Sequence, residues 1–231
     1  MNRKPSYYVL ATLFIIGLAV VVSCNKGDDT LPVVSANARV NVINTTGQTI
    51  NYYVSGTRQN NTGGIVPGGA TGYTNLPEGD QQLLFKYAFN KNNLSSIDTL
   101  FSLPIRLDNA AYSVFVTSTS RNGVIATRDT VASSADTIPS VRFIHASSNL
   151  PALRVELNDT VRFANVAYKS VSSFKKLTRG IKIIRIYTAT GTSPLYSLTQ
   201  TLSRGKYTLF VQGALNATRT DDAIKAILLS N

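Results

Sequence analysis

The 231-residue chain has one cysteine, one histidine, no tryptophan and only 12 acidic side chains. Each scarcity excludes something. One cysteine cannot close a disulfide within the chain or build a cysteine-ligated metal cluster, and one histidine excludes a multi-histidine centre. No cofactor or metal is therefore expected. The ten aspartates and two glutamates are scattered, and no pair reads as a glycosidase dyad from spacing, although such pairs are assembled in space. The missing tryptophan weakens a sugar-stacking platform, and most of the 11 tyrosines sit at strand spacing. No long helical periodicity is present. Apolar residues are nevertheless 43% of the chain, enough for a packed core, and the length suits one large domain or two small ones.

The N-terminus is the most explicit segment. Arg3 and Lys4 precede an uncharged, largely apolar run from Tyr7 to Val22, shorter than the ~20 residues that span a bilayer comfortably. A basic start, a short apolar stretch and a small residue at its end read as a secretory signal over residues 1–23. Val21-Val22-Ser23-Cys24 resembles the bacterial lipobox, in which the thiol is acylated and the chain is cut before the cysteine. Cys24, the only cysteine, is thus the expected lipid anchor, and two or three acyl chains hold a membrane stably where one is marginal. Lys26, Asp28 and Asp29 resemble the export signal that carries Bacteroidota lipoproteins to the cell surface, with Gly27 interrupting the match. The expected location is the outer membrane, facing the surface, with a periplasm-facing orientation as the alternative. Residues 24–37 read as a polar tether.

From Ala38 onward the pattern is β. Stretches such as Arg39–Asn44, Tyr112–Val116 and Ser140–His145 alternate at period two between turn residues. Asp221–Leu229 fits either a helix or a closing strand. An internal repeat is visible: Leu100-Phe101-Ser102-Leu103 recurs as Leu195-Tyr196-Ser197-Leu198, and Leu107, Tyr112, Val114, Phe115 and Val116 align with Leu202, Tyr207, Leu209, Phe210 and Val211. Tyr73, Leu76 and Gly79 align with Phe174, Leu177 and Gly180, and Val40, Val42 and Ile43 with Val141, Phe143 and Ile144. Shared apolar positions at strand spacing predict an all-β fold of two tandem immunoglobulin-like β-sandwich domains, at 38–131 and 139–231, joined by a linker at 132–138. Each is expected to have its own core and to fold alone, marginally at this size.

Val141–Ser147, ending in His145-Ala146-Ser147, then Pro151, Leu153–Leu157, Phe163–Val171, Thr178-Arg179-Gly180 and Ser203–Thr208 resemble, in that order, the bacterial domain-of-unknown-function family 4397. The resemblance covers about residues 139–215 well and 38–131 weakly, where Asn44 replaces the histidine. It implies an exported β-sandwich and no assigned activity.

Three features could carry chemistry. His145 reads as a general base or glycan contact, or as a side chain capping the turn that follows it. Asp-Thr before an apolar residue occurs five times, placing Thr30, Thr99, Thr130, Thr137 and Thr160 in a pattern that resembles the Bacteroidota O-glycosylation acceptor; Asp-Thr also opens strands after turns. The glycine-rich stretch 63–69 lacks the ending of a phosphate loop and reads as a turn-rich connection.

The third feature is charge. The chain carries 23 basic residues, a net +11, and residues 139–231 alone have thirteen basic and four acidic side chains. Lys169, Lys175, Lys176, Arg179, Lys182 and Arg185 concentrate that excess. Lys175, Lys176 and Arg179 form an expected polyanion patch for acidic polysaccharide or lipopolysaccharide, or a basic surface with no specific partner. The phase of Lys182 relative to Ile184 leaves its face open. Nucleic acid is not expected, since no recognition motif is present. The absent catalytic motifs, the repeat and the small size favour a non-catalytic envelope lipoprotein that displays two sandwiches for binding or scaffolding; a glycan-acting hydrolase or carbohydrate-binding accessory protein is the alternative.

Overall fold

The computed structural model describes residues 37–60, 63–88, 99–158 and 160–231. The signal segment, Cys24, Lys26, Asp28, Asp29, Thr30, Asp98 and Asp159 lie outside them. The described residues form strands and two short 3-10 turns, Arg121–Gly123 and Thr220–Asp222.

The first half runs β1 (Asn37–Asn44), β2 (Ile50–Val54), β3 (Thr57–Arg58), β4 (Ala70–Pro77), β5 (Gly79–Tyr87), β6 (Thr99–Leu107), β7 (Ala111–Val116) and β8 (Val124–Asp129). The second runs β9 (Pro139–His145), β10 (Leu153–Leu157), β11 (Thr160–Val166), β12 (Lys175–Lys176), β13 (Gly180–Thr188), β14 (Tyr196–Leu202), β15 (Gly205–Gln212) and β16 (Lys225–Ser230). Strand order repeats: β4-β1-β7-β8 over β3-β2-β5-β6, then β12-β9-β15-β16 over β11-β10-β13-β14. In both halves the first strand runs parallel to the seventh, β1 to β7 and β9 to β15. The fold is all-β and sandwich-like, and the ambiguous C-terminal segment closes it as a strand. The turn glycines of the repeat sit at equivalent places, Gly79 opening β5 and Gly180 opening β13, with φ of 94° and 103°, values that favour glycine.

Each half fills the space between its sheets with alternate residues. Val40 and Val42 meet Tyr52, Leu83, Phe85 and Val114 in the first. Val141 and Phe143 meet Val155, Ile184, Ile186 and Leu209 in the second. The register of β13 on β14 is unbroken from Gly180 opposite Leu202 to Ile186 opposite Tyr196, so Lys182 shares the inward face of Ile184 and Ile186, while Ile181 and Ile183 face out. This settles the phase that the sequence leaves open.

A third apolar cluster lies between the halves. Ile43, Phe115 and Ile125 pack against Ile144, Ala146 and Phe210. The Phe115 and Phe210 rings meet edge to face with centroids 5.3 Å apart, a favoured aromatic geometry. β1, β7 and β15 are buried on both faces toward their C-terminal ends, and β9 is buried along its whole length. The described residues belong to one compact unit that takes in both halves. The halves therefore share a core in addition to their own.

Candidate functional site

The seam between the halves is polar at its edge. Asp129, at the end of β8, and Arg142, in β9, form an ion pair with almost no side-chain exposure. The Asp129 carboxylate also accepts hydrogen bonds from the Tyr73 hydroxyl and the Ser113 hydroxyl, each at 2.7 Å. Arg142 donates from Nη1 to Thr127 Oγ1 at 2.7 Å and from Nε to Thr208 Oγ1 at 2.9 Å, and the Thr208 hydroxyl donates in turn to Asn231 Oδ1 at 2.8 Å. Burial, followed by the Asp129 carboxylate, pushes the Tyr73 phenol well above its ordinary range, so it stays a donor. A buried pair with this many partners is well satisfied, and it fixes how the halves meet.

The C-terminal ends of β1, β7, β9 and β15 deliver four loops to the other end of the seam. His145 is fully buried there. Its Nε2 donates to the Pro151 carbonyl at 2.9 Å, and its Nδ1 accepts the Ser147 amide at 3.4 Å. Burial holds its pKa below the ordinary value, so the ring is neutral in the fold. Asn44, its counterpart, does the same work: Oδ1 accepts the Thr46 amide at 2.9 Å and Nδ2 donates to the Gln48 and Ile65 carbonyls, each at 2.7 Å. Both residues cap a turn. Between these loops lies an open cleft of about 500 Å³, lined by Thr46, Gly47, Ser118, Ser148, Asn149, Leu215, Asp221 and Asp222 among others. Thr45 Oγ1 donates across the seam to the Ala146 carbonyl at 3.2 Å, and Lys169 Nζ donates to the Asn122 carbonyl. Gly47 permits the close approach of the second half: a Cβ there would stand 1.7 Å from Asp222 Oδ1. Asp221 and Asp222 both lie near Arg219, at 3.7 and 3.9 Å. The lining is mostly hydroxyl and amide, with the carboxylates of Asp221 and Asp222 at one side, and suits a polar ligand.

The residues singled out in the sequence are dispersed. Thr99, Thr130, Thr137 and Thr160 are all exposed, at strand ends or in the linker. Asp129, beside Thr130, is committed to the seam, which gives that Asp-Thr pair a structural reason. Asp136, beside Thr137, is held below the usual carboxylate range by the Ser133 amide and by Lys206, 3.1 Å away. Lys175 and Lys176 are the two residues of β12 and are exposed, with Lys175 Nζ lying 5.8 Å from the Phe163 ring centroid. Arg179 donates to the Thr137 carbonyl with Nε at 2.9 Å and with Nη2. Lys169 is drawn to the seam. The cations expected to act together therefore face different neighbours. Among the described residues no group of three or more acidic, histidine or cysteine side chains is placed to hold a metal ion.

The sequence does not single out Asp129, Arg142, Ile43, Phe115 or Phe210 as a set. The available signal is the uninterrupted apolar runs Val114-Phe115-Val116 and Leu209-Phe210-Val211, which leave no face for water.

The family profile of the domain of unknown function DUF4397 matches residues 36–156 and again 139–231. The chain belongs to the DUF4397 family. The two matches follow the two halves of the fold, the first extending into the opening strands of the second. No curated protein matches the chain. Among solved structures, a candidate cell adhesion protein from Bacteroides fragilis is similar at 7% identity, covering 84% of this chain and 97% of that one, with a TM-score of 0.22, a likeness too slight to carry an argument.

Proposed function

We propose that this DUF4397 protein is a non-catalytic envelope lipoprotein, anchored through Cys24 in the outer membrane, that presents its two sandwiches as one rigid body and binds a polar ligand in the cleft at their seam. The observation that carries this reading is the cleft itself. Equivalent loops of both halves build it, about 500 Å³ in size, and the third core and the Asp129–Arg142 pair hold those loops in register. A site assembled from two repeats needs their fixed orientation, which separate domains on a flexible linker would not provide. The lipobox-like Val21–Cys24 supports the anchor, and Lys26, Asp28 and Asp29 support display at the surface rather than toward the periplasm. Export would also bring the exposed Thr99, Thr130, Thr137 and Thr160 within reach of a glycosyltransferase.

The test has two parts. In cells, Cys24→Ala is expected to leave an uncleaved precursor without acyl label; normal processing of that variant overturns the anchor. In vitro, the delipidated protein is applied to a glycan array, with Asn149→Ala and Ser118→Val as cleft variants. Binding that both variants weaken supports the cleft, and binding that neither changes overturns it. A hydrolase is the second reading, favoured by Asp221 and Asp222 in the cleft. It requires turnover of a bound glycan that is lost in the Asp221→Asn, Asp222→Asn double variant.

A further inference from the structure

The opposite end of the second half carries a separate cavity of about 400 Å³, at the N-terminal end of β9 rather than at the seam cleft. Leu157, Leu177 and Ile138 give it an apolar side, and Arg162, Lys176 and Lys182 give it a cationic one. Thr160 and Thr178 add hydroxyls. The three cations come from three elements, β11, β12 and β13, so the cluster is a product of the fold and not of a run in the sequence.

Two of these cations lack the partners a protein ordinarily supplies. Lys182 is only 7% exposed. Its ammonium donates to Thr178 Oγ1 at 2.9 Å and to the Arg179 carbonyl at 3.5 Å, both neutral acceptors. An ammonium has three donors, so one is left over. Arg162 Nε is buried and finds no hydrogen-bond partner among the described residues. No carboxylate among the described residues lies within ion-pair distance of Arg162, Lys176 or Lys182. A buried charge without a counter-charge is costly, and β13 would bury an apolar residue at position 182 at less cost. The arrangement is explained if an anion completes it.

We propose that this cavity binds a phosphate group, with the carbon skeleton that bears it lying against Leu157, Leu177 and Ile138. Phosphate fits better than carboxylate because a tetrahedral dianion offers three or more oxygens to the donors of Arg162, Lys176, Lys182 and the two threonines. A carboxylate offers two oxygens and one charge, too few to satisfy three cations. The volume falls within the range of small-ligand sites, ~300–1,000 Å³, and takes a phosphate with one attached sugar or glycerol unit. The patch expected from sequence, Lys175, Lys176 and Arg179, is thereby relocated. Lys176 stays, Arg179 is held on the Thr137 carbonyl and is not part of the lining, and Arg162 and Lys182 replace the rest. The bound phosphate has two sources in an envelope, a phosphorylated polysaccharide or a lipid headgroup. The site does not depend on the seam cleft or its ligand.

The test titrates the delipidated protein with glucose 1-phosphate, glycerol 3-phosphate and, as carboxylate control, acetate, following backbone amides by NMR. Saturable shifts at Thr160, Thr178 and Lys182 are expected with the phosphate esters, and none with acetate at equal ionic strength. Lys182→Met keeps the packing and removes the charge, so affinity should fall by about tenfold or more, the usual worth of a charge-assisted hydrogen bond. Arg162→Gln, nearer the rim, is expected to weaken binding several-fold and provides the same test should Lys182→Met fail to fold. Co-sedimentation with phosphatidylglycerol vesicles, against phosphatidylcholine vesicles, assigns the phosphate to a lipid headgroup; phosphate-ester binding without sedimentation assigns it to a saccharide. Equal affinity in parent and both variants, equal shifts with acetate, or no saturable shift at millimolar phosphate ester overturns the proposal.

Discussion

The two halves meet through equivalent positions and contribute unequal chemistry. Ile43 faces the seam where Ile144 does, and Phe115 meets its own counterpart Phe210. The apolar centre is therefore nearly symmetric. The polar edge is not. The register of β7 on β8 and of β15 on β16 makes Thr127 the counterpart of Leu229 and, one residue pair beyond the Tyr207–Ser230 bridge of the second hairpin, Asp129 that of Asn231. The repeat alignment matches Asn41 with Arg142 and Tyr73 with Phe174. On one side an arginine reaches an aspartate that holds two hydroxyls. On the other an asparagine stands where the arginine would be, and its Oδ1 is buried with no hydrogen-bond partner among the described residues, as is Nδ2 of Asn231. Apolar packing tolerates duplication, because it needs only shape. A buried charge needs an opposite charge, and a symmetric seam would set arginine in both halves against aspartate in both, doubling the desolvation cost. One ion pair is enough to fix the orientation.

Separating the halves breaks this comparison most severely. The isolated second half, residues 139–231, would expose Ile144 and Phe210 and strand Arg142 without Asp129. It is expected to be oligomeric or to lack cooperative unfolding, whereas residues 36–231 unfold as one transition. Size-exclusion chromatography and urea melts of both chains decide it. A monomeric, cooperatively folded second half would show that the seam is dispensable.

Within the intact chain, the ion pair and its asparagine counterpart are expected to differ sharply. Arg142→Ala leaves a buried carboxylate unpaired and should cost about 3–5 kcal/mol. Asn41→Ala removes a buried atom that makes no hydrogen bond and should cost far less. Equal losses in urea unfolding would mean that the seam is as symmetric energetically as it is in shape.

Much of the sandwich was legible from residues alone. The alternation of Val40 and Val42, the aligned Phe115 and Phe210 and the paired glycines Gly79 and Gly180 gave the class and the repeat. The seam was not, for a physical reason: a strand's period shows which residues face away from its own core, but not what covers them. Asp129 and Arg142 are only 13 residues apart, yet nothing local pairs them, and Asp129 reads in sequence as part of a modification signal. Lys182 was misleading in the opposite sense, because a lysine in phase with Ile184 and Ile186 looks like a break in the pattern when it is a charge turned inward. His145 caps the turn that follows it, as Asn44 does in the first half.

That last equivalence sets a smaller, pH-dependent difference between the halves. His145 has its pKa lowered by burial, so the unfolded chain takes up a proton before the folded chain does. Stability from this site is complete above the unfolded value, about 6.5, and is lost as pH falls through the folded one. His145→Asn installs the residue of the first half, which does not titrate. Urea midpoints measured from pH 7.5 down to pH 5 should decline less steeply in the variant than in the parent. Identical slopes would mean that the ring is protonated without cost and that its burial is not what holds it neutral.

The smallest effect concerns Asn41 itself. The residue is 7% exposed, and its side-chain carbonyl oxygen is buried with no hydrogen-bond partner among the described residues. An unsatisfied buried acceptor costs about 1–3 kcal/mol, while leucine, with the same branching but bulkier methyl groups, gives up no hydrogen bond from that oxygen and has only its added bulk to accommodate. Its neighbours on the same face of β1, Arg39 and Ile43, are an arginine stacked on Tyr73 and a residue of the shared core, so leucine enters a setting that is half apolar already. Asn41→Leu is therefore expected to be neutral or to stabilise by about 1 kcal/mol, read as a higher urea midpoint at unchanged slope. The same change at Arg142 strands Asp129 and cannot be neutral. If Asn41→Leu costs 2 kcal/mol or more, roughly the worth of a hydrogen bond to a charged group, the amide is engaged in the seam after all, and the polarity of the seam is shared by both halves instead of resting on one ion pair.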